Sequence, residues 1–163
     1  MVIIVLGLPG SGKSYFAIRV AQMLHAKYIS SDEVRKEMFE IPHYSTERNT
    51  MVYDEMLRRT IEAIKHGKEV VLDATFYSNE LRQKFIGETK NISGIYLIEI
   101  YAEDELIKQR LLLPRRNSDV DFEVYKAIKK EWDPLSREHL VLQSTNNNIL
   151  EMLEQTCDYL FNK

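Results

Sequence analysis

Gly7, Gly12, Lys13 and Ser14 stand in the spacing G-x-x-x-x-G-K-S, directly after the apolar run Val2 to Leu6. Glycines at these places let the chain bend so that successive backbone N–H groups point inward. The start of the following helix adds its positive end, and together they form an anion cradle. A lysine at position 13 reaches the β- and γ-phosphates of a nucleoside triphosphate, and the Ser14 hydroxyl is the expected ligand of a phosphate-bound Mg²⁺. Leu8, Pro9, Gly10 and Ser11 within the loop, and Tyr15 just after it, complete the candidate nucleotide-binding set. The competing reading is a glycine turn that holds nothing; the strand–loop–helix context separates the two.

Three further stretches carry residue types suited to group transfer. In "ISSDEVRKEMF", Asp32 falls at the carboxyl end of a short apolar strand, where ligands gather in parallel sheets. Arg35 follows three residues later on the same helical side. A carboxylate there can take a proton from an attacking hydroxyl, and an arginine can fix an anionic or polar acceptor. The plainer alternative is that Ser31 or Asp32 caps the helix and Arg35 makes a surface ion pair. In "VVLDATF", Asp73 closes a buried strand, the place of an acid that holds Mg²⁺ through its water shell, with Thr75 as a weaker polar contact on the substrate side. The alternative is a strand-end turn residue. In "RLLLPRRNSD", Arg110, Arg115 and Arg116 flank the break at Pro114. A mobile helix–break–helix bearing arginines can close over phosphates and neutralise developing charge; a solvated basic loop is the alternative.

These residues need a scaffold, and the chain alternates short apolar runs with amphipathic stretches. Strands are predicted at Val2–Leu6, Lys27–Ser30, Glu69–Thr75, Gly94–Ala102 and His139–Ser144. Helices are predicted at about 12–26, from Ser31, at 46–66 ended by Gly67, at 78–90, 103–113, 120–130 and 147–161. In the last helix Ile149, Leu150, Leu153, Cys157 and Leu160 align as an apolar stripe. Five strands separated by helices imply a parallel sheet covered on both faces, with right-handed crossovers.

The length of 163 residues suits one α/β domain over 1–163, and the net charge of -3 with 29% charged residues fits an ordinary globular chain. The sequence pI of about 5.9 argues against wholesale nucleic-acid coating but leaves room for a local basic cleft. No apolar run reaches the roughly 20 residues of a membrane span, and the first residues read as a strand rather than a leader. With Cys157 alone, no internal disulfide can form, which fits a reducing cytoplasm. His25, His43, His66 and His139 lack metal-ligand spacing, and Cys157 reads as core. Trp132 and Tyr125 are expected to pin a helix to the core rather than stack on a base. Lys126, Lys129 and Lys130 read as a solvated face, because Glu123 and Glu131 interrupt them.

The order GxxGSGKS, SD-x-x-R, hydrophobic-DAT and R-x(4)-RRN-SD, running from Gly7 to about Leu142, resembles the small P-loop kinases. These include the kinase domains of polynucleotide 5′-hydroxyl kinases, zeta-toxin and chloramphenicol phosphotransferase relatives, and the adenylate- and gluconate-kinase-like group. The stretch "SDVDFEVYKAIKKEWDPL" is also similar to stand-alone, AAA-type predicted kinases. The resemblance implies a three-layer P-loop NTPase sandwich on a five-stranded parallel sheet of order 2-3-1-4-5, with a helical lid at about 103–131. It implies ATP and Mg²⁺ as cofactors, Lys13, Asp32 and Arg116 as catalytic residues, and Asp32 as general base. Arg35 would contact the acceptor, Arg116 with Asn117 the transferred phosphate, and Arg110 and Arg115 the nucleotide, Arg110 near the adenine. The chain shows no fused phosphatase domain, no recognisable nucleoside-monophosphate pocket and no N-K-x-D guanine motif, so ATP is favoured over GTP. The implied activity is phosphoryl transfer to a hydroxyl, either a nucleic-acid 5′ end or a small metabolite. The rival is a nucleotide-responsive switch or slow ATPase that binds a partner; the oligomeric state stays open.

Overall fold

The computed structural model describes residues 1–41, 45–113 and 121–162. Five strands, β1 (Val2–Leu6), β2 (Lys27–Ser30), β3 (Val70–Asp73), β4 (Ile95–Tyr101) and β5 (Leu140–Gln143), form one sheet of order β2-β3-β1-β4-β5. All four pairings are parallel, as the alternation of strands and helices and the family likeness both imply. The helices are α1 (Lys13–Met23), α2 (Ser31–Met38), α3 (Thr46–Lys65), α4 (Asn79–Thr89), α5 (Asp104–Leu111), α6 (Phe122–Lys130) and α7 (Ile149–Phe161).

Strand β1 is central, and all five of its side chains are buried, which its unbroken apolar sequence requires of a strand covered twice. Side chains alternate between the two faces. Val2, Ile4 and Leu6 join Val70, Leu72 and Leu97 against Val52, Met56 and Phe85 of α3 and α4. Ile3 and Val5 join Val71, Ile98, Ile100 and Leu142 against Phe16 and Val20 of α1 and Met152 and Leu160 of α7. The result is a three-layer sandwich.

Caps set several helix starts. Ser45, Ser78 and Asp121 each accept a hydrogen bond from the backbone N–H three residues on. Asp121 thereby delays α6 to Phe122, two residues later than the pattern predicts. In α7 the predicted stripe is corrected: Leu150 is 79% exposed, and Met152 and Thr156 take the buried positions. A helical turn of 100° per residue places Leu150 away from the sheet once Ile149 and Met152 face it. Cys157 is half-buried, with its sulfur 3.5 Å from that of Met23. No helix among the described residues is long and apolar enough to cross a membrane.

Candidate active site

The carboxyl edge of the sheet opens into a cleft of about 550 Å³. Pro9, Gly10, Gly12, Lys13, Ser14 and Tyr15 line one side; Asp32, Arg35, Asp73 and Thr75 line another; Arg110 closes a third. Eleven residues singled out in the sequence therefore meet around one space. Gly7, Leu8 and Ser11 do not line it and instead support the loop from behind. Arg115 and Arg116, with Asn117, lie outside the described residues.

The loop's conformation explains its glycines. A Cβ at Gly7 would collide with the Ile100 carbonyl oxygen. Gly12 has φ +92, and its added Cβ would sit 2.7 Å from Ser144 Oγ. Both positions are therefore closed to larger residues, by contact at Gly7 and by contact plus backbone strain at Gly12. Leu8 packs with Ile107 and Tyr125, and Ser11 is fully buried.

Arg110 does not sit free above this loop. Its Nη1 donates to the carbonyl oxygens of Gly10 and Ser11 at 3.3 and 3.1 Å and to Ser144 Oγ at 3.2 Å. Its Nη2 donates to the Thr145 carbonyl at 3.0 Å and to Asn146 Oδ1 at 3.4 Å. In a trans peptide the C=O and N–H are held rigidly opposite, so fixing the Gly10 and Ser11 carbonyls also fixes the N–H donors that follow them in the loop. Arg110 thus ties α5, the phosphate-type loop and the β5–α7 turn together. Arg110→Ala is expected to weaken nucleotide binding about 10- to 100-fold with the far-ultraviolet circular dichroism unchanged, since charge-assisted bonds are worth about 1.5–3 kcal/mol each. Unchanged affinity in a titration would show that the loop holds its shape without this arginine.

The capping alternative for Asp32 is overturned. Ser30 is the residue before α2, and its side chain makes no capping bond. Asp32 lies in the first turn and lines the cleft. Burial raises its pKa, the Lys13 ammonium works against that rise, and Asp73 adds to it. Arg35 is 4% exposed and donates from Nη2 to Asn49 Oδ1 at 2.7 Å. Asp73 is 2% exposed; Tyr28 donates its hydroxyl to Oδ2 at 2.6 Å, and Oδ1 is buried with no partner. A buried carboxylate oxygen left in this way, on a side chain that lines the same cleft as Ser14, fits a hydrated divalent cation. No group of three or more His, Cys, Asp or Glu among the described residues is placed to cage a metal.

Several lining residues escaped the sequence reading. Thr46, Asn49 and Tyr53 lie on one stripe of α3 at spacings of three and four, a signal hidden because Tyr53 reads as core. The Tyr53 hydroxyl accepts from the Phe76 N–H at 3.2 Å, which helps hold Phe76 at φ 49. Tyr77, and Val124, Ile128 and Glu131 from α6 and its end, complete the wall. Tyr125 is 1% exposed and Trp132 packs on the core beneath Arg82, so both aromatics pin their segments, as expected. Asp133 anchors the chain after α6: its N–H donates to the Tyr77 carbonyl at 2.9 Å and its Oδ2 accepts from Asn79 N–H at 2.8 Å. Lys126 pairs with Glu123 and Lys129 with Asp104, as a solvated face would.

The chain is similar to several known proteins. An "Uncharacterized protein" of Mycobacterium tuberculosis (strain ATCC 25618 / H37Rv) is 28% identical over 146 residues, covering 78% of this chain and 29% of that protein. The chain thus spans under a third of the length of the curated relatives it matches. A sugar kinase from Janibacter sp. HTCC2649 superposes with a TM-score of 0.75 at 13% identity, covering 98% of this chain and 93% of that one. The APS kinase CysC of Mycobacterium tuberculosis, in complex with AMPPNP and APS, superposes at 0.73 and 15%, covering 98% and 96%. At such identities these likenesses establish the fold. A family model described as "AAA domain" matches residues 2–135, so the chain belongs to that family and has the fold of the small P-loop kinases.

Proposed function

We propose that the protein is an ATP-dependent phosphotransferase that moves the γ-phosphoryl group to a hydroxyl acceptor. One observation carries this reading: Asp32, relieved of any capping duty, shares a cleft with Lys13 and Asp73. A carboxylate so placed can take the proton of an acceptor hydroxyl, and Arg35 on the same cleft gives such an acceptor a charged contact that an attacking water does not need.

In this reading the loop amides and Lys13 hold the β- and γ-phosphates. Mg²⁺, when bound, would neutralise charge on the phosphates; Ser14 and Asp73 would hold it. Asp32 accepts the proton of the attacking hydroxyl, and Arg35 orients the acceptor. Arg116 would add charge to the transferring group from a lid at 103–131. Positioning and charge neutralisation supply most of such catalysis. Thr46, Asn49 and Tyr77 give the cleft around Asp32 and Arg35 neutral hydroxyl and amide groups. That lining favours a compact hydroxylated molecule over a polyanionic strand.

The test is transfer of label from γ-labelled ATP to a panel of oligonucleotide 5′ ends and small hydroxylated metabolites. Labelled product in one arm supports the proposal. Release of inorganic phosphate at full rate without any acceptor overturns it in favour of the ATPase.

A further inference from the structure

We propose that Tyr28 is a positioning residue for Asp73, fixing which carboxylate oxygen is offered to the cation that accompanies the nucleotide; this rests on the phosphotransferase reading above. Tyr28 lies on β2, which pairs with β3 in the register Tyr28↔Val71 and Ser30↔Asp73. Residues two apart on a strand share a face, so Tyr28 and Asp73 lie diagonally on the α1 side of the sheet. There the tyrosine ring packs among apolar side chains and carries its hydroxyl to Asp73 Oδ2 at 2.6 Å.

The consequence is an asymmetric carboxylate. Oδ2 has a donor, and Oδ1 is buried without one. A carboxylate on two bonds near a strand end can rotate, and rotation would exchange the two oxygens. The Tyr28 bond holds one rotamer, and the ring is in turn held by its packing. Groups that orient a metal-binding carboxylate in this way change affinity without touching the metal. The sequence gives no hint of the pairing, since 45 residues separate the two and Tyr28 reads as an ordinary strand aromatic.

Tyr28→Phe removes the hydroxyl and keeps the ring. With Mn²⁺ as the probe, electron paramagnetic resonance would measure its binding to the intact protein saturated with a non-hydrolysable ATP analogue. Tyr28→Phe is expected to weaken Mn²⁺ binding about tenfold, the range of partners that orient metal ligands. Binding of the analogue in EDTA should not change. In an Asp73→Asn background, the same substitution should add nothing, because coupled residues are not additive. Equal Mn²⁺ affinity for Tyr28→Phe and the unsubstituted protein overturns the Tyr28 role and leaves the phosphotransferase reading standing. An unsubstituted protein that binds no Mn²⁺ with the analogue overturns both. A loss that persists undiminished in the Asp73→Asn background also overturns the proposal, since Tyr28 would then act by another route.

Discussion

Asp32→Asn is expected to lower kcat by about 10²- to 10⁴-fold, the usual contribution of a positioned proton acceptor. ATP affinity should stay within about twofold, because the amide keeps the shape and the phosphates are held by other groups. Rate and affinity falling together would place Asp32 on the nucleotide instead. The pH profile gives a second handle. Burial, chiefly, lifts the Asp32 carboxyl above its ordinary 3.8, with Lys13 opposing. Activity that needs the ionised form is lost as pH falls through that raised value, so the acid limb of kcat/KM should lie above the usual aspartate range. Stability runs the other way. Between the unfolded and folded pKa values the native state holds a proton that the unfolded state has released, so stability declines as pH rises through that window. At neutral pH the ionised Asp32 therefore weakens the fold, and Asp32→Asn should melt at a higher temperature than the unsubstituted protein. The difference should vanish well below pH 3.8. A lower melting temperature at pH 7 would show that the carboxylate is structural.

Lys13→Met should be as damaging, by a different route. The aliphatic stem is kept and the ammonium is lost, leaving phosphate charge uncompensated in a partly buried cleft. Removing one such donor costs at least about 10²- to 10³-fold in turnover. Here nucleotide affinity should fall as well, which distinguishes it from Asp32→Asn. The ammonium also lowers the Asp32 pKa, so the acid limb of any residual activity should shift to higher pH. An unshifted limb would mean that the two charges do not sense each other across the cleft.

Much of this protein is legible in one dimension. The G-x-x-x-x-G-K-S spacing, the apolar strand before it and the acid closing β3 are local features. Their geometry follows from glycine torsions and from strand-then-helix order, so the loop residues and Asp73 reappear around one cleft. The alternation of strands and helices fixed a parallel sheet for the same reason, since parallel neighbours need long crossovers.

The tertiary structure decided the contacts between residues far apart in the chain. Whether Asp32 caps α2 or faces the cleft depends on where β2 ends, and the structure places the cap position one residue before Ser31. Arg110 looks like a lid arginine in sequence. Only the packing of α5 on the loop, 99 residues away, aims its guanidinium at the Ser11 carbonyl. Tyr28 and Asp73 meet because two strands pair in one register and not the next, and a slip of one residue would send the hydroxyl to the other face of the sheet. Spacing along a chain encodes local shape, whereas the partners of a side chain's polar atoms are settled by which elements come to lie side by side.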